Sequence, residues 1–231
     1  MKISQFILVA IIGVSFSACQ NKSSNSEAKD SLTDMSTDSS LMRSDTTSMM
    51  SNIDTNSMVS DMGRSMEKMM ENIHQFKMTG NIDFDLASLM KFHHLSAVDM
   101  SQLEIKLGTE PMQKQIARNI ISKQTKEIQM LDGLLKNSTK TKNYEPSDKK
   151  AGLGRDINKN MVQMMNMGDI SFGTPDHEFT SMMIKHHQDG IDMGKIILKY
   201  SQSEKFKALT KTMIADQTSE IAELKKTIEH H

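Results

Sequence analysis

The sequence predicts an all-α protein whose folded part is a duplicated helical unit. Three observations carry this. Proline is confined to Pro111, Pro146 and Pro175, so long stretches lack the residue that breaks helices. No segment sustains the apolar–polar alternation of a half-buried strand, and β-branched clusters are few. Finally, a shift of 93 residues, the distance from His93 to His186, lays the sequence on itself. Asp83 then falls on Asp176, Met90 on Met183, His93-His94 on His186-His187 and Asp99-Met100 on Asp192-Met193. Gln124 falls on Gln217 and Glu127 on Glu220, with no gap from residue 83 to 135. Upstream, Met66-x-x-Met69-Met70 is echoed by Met161-x-x-Met164-Met165, offset by two more residues. Two diverged copies thus show which residues both have kept.

The elements follow in order. Met1-Lys2, the apolar run Phe6 to Val14 and the small residues before Cys19 read as an export signal over residues 1–18. The run is too short to span a membrane as a mature helix. Small residues ending in the sole cysteine resemble a bacterial lipobox, with Cys19 as the lipidated residue and Phe16 where Leu is usual. The alternative is a plain cleaved signal with an incidental cysteine. Residues 19–57, rich in Ser, Asp, Asn and Thr, bury too little apolar surface to offset the entropy of ordering and read as a tether. The duplicated domain occupies 58–231, copy one over 58–139 and copy two over 155–231. Lys140 to Asp156, with Pro146, Gly152 and Gly154, links the copies.

Each copy reads as a Met-rich helix, a loop, a His-bearing helix, a short loop and a long second helix. Asp83 and Asp176 stand near helix starts, where a carboxylate caps free N–H groups. Copy one breaks at Gly108-Thr109-Glu110-Pro111, with Pro111 suited to a first helical turn; copy two breaks near Ser201 to Ser203.

At 100° per residue, Met183, His186, His187, Gly190 and Met193 share one half of their helix. The histidines therefore face the core. Gly190, or Ala97 in copy one, lies between them and lets a neighbour approach closely. On the following helix Gln124 and Glu127 share a stripe with Ile128 and Leu131, and Gln217 and Glu220 repeat the pattern. A buried carboxylate without a partner is costly. A facing histidine would satisfy it, and a histidine that ligates a metal through one nitrogen offers the other to such a group. Asp99 and Asp192 point away from this stripe, and pairing with Lys106 and Lys199 or with a neighbouring helix accounts for them.

Methionine is the compositional anomaly, with 23 residues against no Trp. It is a flexible core filler and also a soft thioether ligand. Met58, Met62, Met66, Met69, Met70, His74 and Met78 recur at spacings of three and four. They form either a packing face or a series of soft ligands. Thioether with imidazole selects Cu(I) or Ag(I), and suits an oxidising envelope in which thiols form disulfides. The net charge of −1 offers no electrostatic case for nucleic acid.

The stretches FDLASLMKFHHLSAVDM and HEFTSMMIKHHQDGIDMGKIIL resemble the DUF305 family, centred on Met-x-x-His-His-x-x-x-x-Asp-Met. That resemblance implies a ferritin-like four-helix bundle made from a duplicated helix pair, with additional Met-rich helices. Some members are similar to periplasmic copper-resistance proteins. Carried over, it implicates Met90, His93, His94, Met100, Met183, His186, His187 and Met193 as ligands, with Met66, Met69, Met70 and His74 added by the stripe. Gln124, Glu127, Gln217 and Glu220 would support them. Copy one departs at Leu95-Ser96-Ala97-Val98, where copy two has Gln188-Asp189-Gly190-Ile191, implying weaker binding in copy one.

The expectation is a non-enzymatic envelope lipoprotein that faces the periplasm or cell surface. It would bind copper or silver and sequester it or pass it to a copper-handling partner. A ferritin-like di-metal iron or manganese oxidase is the alternative, but it wants Glu-x-x-His on two helices. Three residues before the histidines stand Met90/Lys91 and Met183/Ile184 instead. A metal-free structural bundle is the third reading.

Overall fold

The computed structural model describes residues 55–138, 141–166 and 173–229, with side chains from 61 to 228 within those segments. The signal segment, Cys19, residues 19–54 of the tether and His230-His231 lie outside the described residues, as does the side chain of Met58.

Among the described residues there are six helices and no strand: α1 (Thr55–Gln75), α2 (Ile82–Leu107), α3 (Pro111–Asn137), α4 (Gly152–Met165), α5 (Pro175–Tyr200) and α6 (Glu204–Glu229). The hairpins α2–α3 and α5–α6 form the four-helix bundle, with α2 facing α5 and α3 facing α6. α1 lies on α2 and α4 on α5, so each copy repeats the same succession of neighbouring helices.

The helix starts correct one expectation. Asn81 caps α2 by accepting from the Phe84 amide, and Thr174 caps α5 by accepting from the His177 amide. Asp83 and Asp176 instead tie the two copies together. Asp83 Oδ1 accepts from Ser201 Oγ and, at 3.2 Å, from the Gln202 amide at the α5–α6 corner. Asp176 accepts from the Thr109 and Glu110 amides at 2.8–3.0 Å and from the Thr109 hydroxyl at the α2–α3 corner. Each copy's aspartate thus satisfies the amides of the other copy's turn.

The linker is sewn onto the α1–α2 corner. Gly80, at φ 87°, accepts through its carbonyl from the Asn143 and Tyr144 amides. Asn81 Nδ2 donates to the Thr141 carbonyl and Asn143 Oδ1 accepts from the Ile82 amide.

Met62, Met66, Met69 and Ile73 form α1's buried seam, at the spacing of a core-facing helix stripe. Met66 Sδ accepts from Ser96 Oγ at 3.8 Å. The stripe does not run on as one face: Met70 is half-buried, His74 is exposed, and Met78 lies beyond the end of α1. Wrapping α1 around α2 buries only the inner part of the series. Asp99 pairs with Lys68 of α1, and Asp192 with Lys195 one turn on, while Lys199 meets Asp156. Asp99 thus takes the neighbouring-helix pairing that the sequence left open, and Asp192 pairs within its own helix with Lys195 rather than with Lys199.

Candidate metal centre

The His-bearing faces of α2 and α5 meet inside the bundle. His93, His94, His186 and His187 are all fully buried. The rings of His93 and His186 stack on each other, with centroids 3.7 Å apart and planes 33° from parallel. His94 and His187 flank this pair, each 6.2 Å from its sequence neighbour's ring. Met90, Met100, Met183 and Met193 are buried on the same two helices.

α3 and α6 supply the carboxylates. His94 Nε2 lies 2.9 Å from Glu127 Oε2, and His187 Nε2 lies 2.8 Å from Glu220 Oε2. The two contacts are the same contact in the two copies. A carboxylate oxygen accepts, so in this geometry each histidine donates through Nε2–H. The lone pair is then on Nδ1. No Nδ1 of the four histidines has a hydrogen-bond partner, and both ring nitrogens of His186 are without one. The amides of Gln124 and Gln217 are buried and unpartnered as well. So many unsatisfied polar atoms at the centre of one bundle need an explanation, since each costs free energy if left dry.

Burial first, and then the neighbouring imidazoles, hold His93 and His186 well below the ordinary histidine range. Both are therefore neutral at physiological pH, the form that ligates a metal. Burial works against the charge of Glu220, but the hydrogen bond from His187, with the nearby Lys123 cation, outweighs it and holds its carboxyl below the usual range.

The two halves are not identical, and two residue pairs explain why. At Gly190 a Cβ would come within 2.7 Å of His93 Cε1 and closer still to Gln217 Oε1. The missing methyl lets His93 reach across, so that its Nε2 lies 3.1 Å from the His186 carbonyl oxygen. On α2 the matching position is Ala97, and His186 Nε2 has no such partner. The second pair is Lys123 and Asp216, which occupy the same position in the repeat with opposite charge. Lys123 Nζ bridges Asp216 at 2.9 Å and Glu220 Oε1 at 3.2 Å. Sequence reasoning missed this bridge, although the opposite signs at one repeat position were there to be read.

Of the proposed set, the histidines, Glu127 and Glu220 are brought together. Met66 and Met69 pack in the seam beneath α1, and His74 is parted from them on the surface. Among the described residues no three His, Cys, Asp or Glu side chains converge as a ready-made ligand set.

The family described as "Domain of unknown function (DUF305)" matches residues 83–228. A crystal structure of a DUF305 fragment from Deinococcus radiodurans is similar, at 15% identity and a TM-score of 0.48, over 65% of this chain and 97% of that one. No curated protein matches the chain.

Proposed function

This chain belongs to the DUF305 family, and we propose that it is a non-enzymatic binder of Cu(I) or Ag(I) in the bacterial envelope, anchored through Cys19. One observation carries the reading: four fully buried imidazoles have unpartnered Nδ1 atoms, and two are oriented by carboxylates at Nε2. A carboxylate on the far nitrogen fixes the tautomer and raises the basicity of the ligating one. His93 and His186 would hold the ion, with His94 and His187 flanking them. The thioethers of Met90, Met100, Met183 and Met193, buried on the same helices, make the surroundings soft.

The donor set argues for the ion. Glu127 and Glu220 are engaged with histidines, so few oxygen ligands remain for iron or manganese. Gln124 and Gln217 offer neutral amides. A monovalent soft ion fits better than a hard dication here. Sequestration, or transfer to a copper-handling partner, follows from binding without an evident reactive group.

The test is metal analysis of protein purified without an affinity tag and loaded under reducing conditions. His230-His231 are deleted in a control. Retained Cu(I) supports the proposal; paired iron or manganese would point to the oxidase, and no retained metal to a structural bundle.

A further inference from the structure

The buried histidines have no direct opening to solvent, so a second donor cluster on the surface becomes significant. A cleft of about 190 Å³ opens between the end of α1, the α1–α2 corner, the linker and α4. His74, Met78 and Met161 all line it. His74 and Met78 stand four residues apart in the methionine series, and Met161 joins them from α4, a juxtaposition that no local sequence pattern announces.

The corner is built to present Met78. Asp85 is fully buried and accepts from the Thr79 amide, the Thr79 hydroxyl and the Gly80 amide at 2.8–2.9 Å, which fixes the turn just after Met78. Tyr144 Oη donates to Asp85 at 2.8 Å and lies 3.4 Å from Met78 Sδ. Burial, and then the bond to Asp85, raise the Tyr144 pKa, so the phenol keeps its proton. That proton goes to the charged acceptor, because charge-assisted bonds are the stronger. The Tyr144 hydroxyl also lies against the sulfur and holds it at the cleft wall, engaging at most one of its two lone pairs. Among the described residues that line it none is a carboxylate, and Lys149 stands at the wall. A hard divalent cation finds little there. Two thioethers and an imidazole are donors for a soft monovalent ion.

We infer that the His74–Met78–Met161 cleft is a second, solvent-facing site for Cu(I) or Ag(I). It takes up or releases the ion at the surface, separately from the buried histidines. The inference shares its choice of ion with the proposed function but none of its residues, so either can fail alone.

The experiment titrates silver nitrate into the full chain carrying ¹³C-methyl methionine and follows the methyl resonances. Met78→Leu and Met161→Leu, which conserve volume, assign the signals. Met112, Met130 and Met165, each more than half exposed, serve as internal controls. The Met78 and Met161 methyls should shift together, at least tenfold lower in silver than the controls. His74→Ala should weaken that response at least tenfold. The response should persist in a His186→Ala/His187→Ala protein. If the cleft methyls stay still, or move only with the exposed controls, the cleft is not a site. If His74→Ala leaves the response unchanged, the three-donor assignment is wrong. The wild-type titration decides the first point whether or not any variant folds.

Discussion

The carboxyl of Glu104 faces the carboxylate of Asp176 at the α2–α3 corner, where Gly108 leaves room for both. A Cβ on Gly108 would lie 2.7 Å from Asp176 Oδ1 and closer still to Glu104 Oε1. One repeat later Gly108 is replaced by Ser201, whose hydroxyl donates to Asp83. In copy one Glu104 thus stands beside the aspartate, where Ser201 stands in copy two. No donor reaches either Glu104 oxygen. Burial, then the bond to and the charge of Asp176, push its pKa up to about 8.

This arrangement predicts a pH dependence of stability. Below about pH 4.5 Glu104 is protonated in both the folded and the unfolded chain. Between there and about 8 only the unfolded chain ionises, so stability falls as pH rises, by at most about 1.4 kcal/mol per unit. Gln at position 104 cannot ionise and still donates. Glu104→Gln should therefore match wild type near pH 4 and exceed it in denaturant midpoint at pH 8. Equal midpoints at both pH values would contradict the protonated pair.

Gly190→Ala should be harmful out of proportion to its size, because the new methyl would collide with His93 and Gln217. Overpacking of this kind costs about 1–3 kcal/mol, and the affinity for Cu(I) should fall with it. Ala97→Gly, the mirror change, should cost only about 1 kcal/mol of helix propensity. Thermal melts and Cu(I) competition on both variants check this; similar effects from the two would remove the basis for the asymmetry.

Proton competition should distinguish the proposed sites. Imidazole must be neutral to bind, whereas a thioether does not titrate. Burial keeps His93 and His186 neutral to well below the usual range. Copper at the buried centre should therefore survive at pH 6 and be lost only in stronger acid. Competition with a Cu(I) chelator, corrected for the chelator's own protonation, measures it at pH 7.5, 6 and 5. Loss of the buried ion already at pH 6 contradicts the account.

Cys19→Ala should move the protein from the membrane to the soluble fraction, because a single lipid-bearing residue is asked to supply all of the anchoring. A variant that fractionates with membranes as fully as wild type rules out the lipobox reading.

The duplication made much of the bundle legible. His93-His94 and His186-His187 were placed on core faces by the 3.6-residue period, and Glu127 and Glu220 were set opposite them by their own stripes. Local pattern could not show where α1 would leave the core. The spacing of three and four continues through Met70 and His74, yet Met70 is only half-buried, His74 is exposed and Met78 belongs to the turn after α1. Nor could it show that Asp83 and Asp176 serve the opposite copy, because a carboxylate near a helix start looks the same whether it caps its own helix or a distant turn. Met78 and Met161 came together only through the linker that Gly80 and Asn81 hold in place.

The most direct test of the buried centre is X-ray absorption at the copper edge on the Cu(I)-loaded wild-type protein, dialysed against a chelator to strip loosely held ion. Nitrogen ligands with the outer-shell scattering of imidazole rings are expected, reduced in His186→Ala/His187→Ala. Copper surrounded by sulfur alone, or no copper retained, would contradict it.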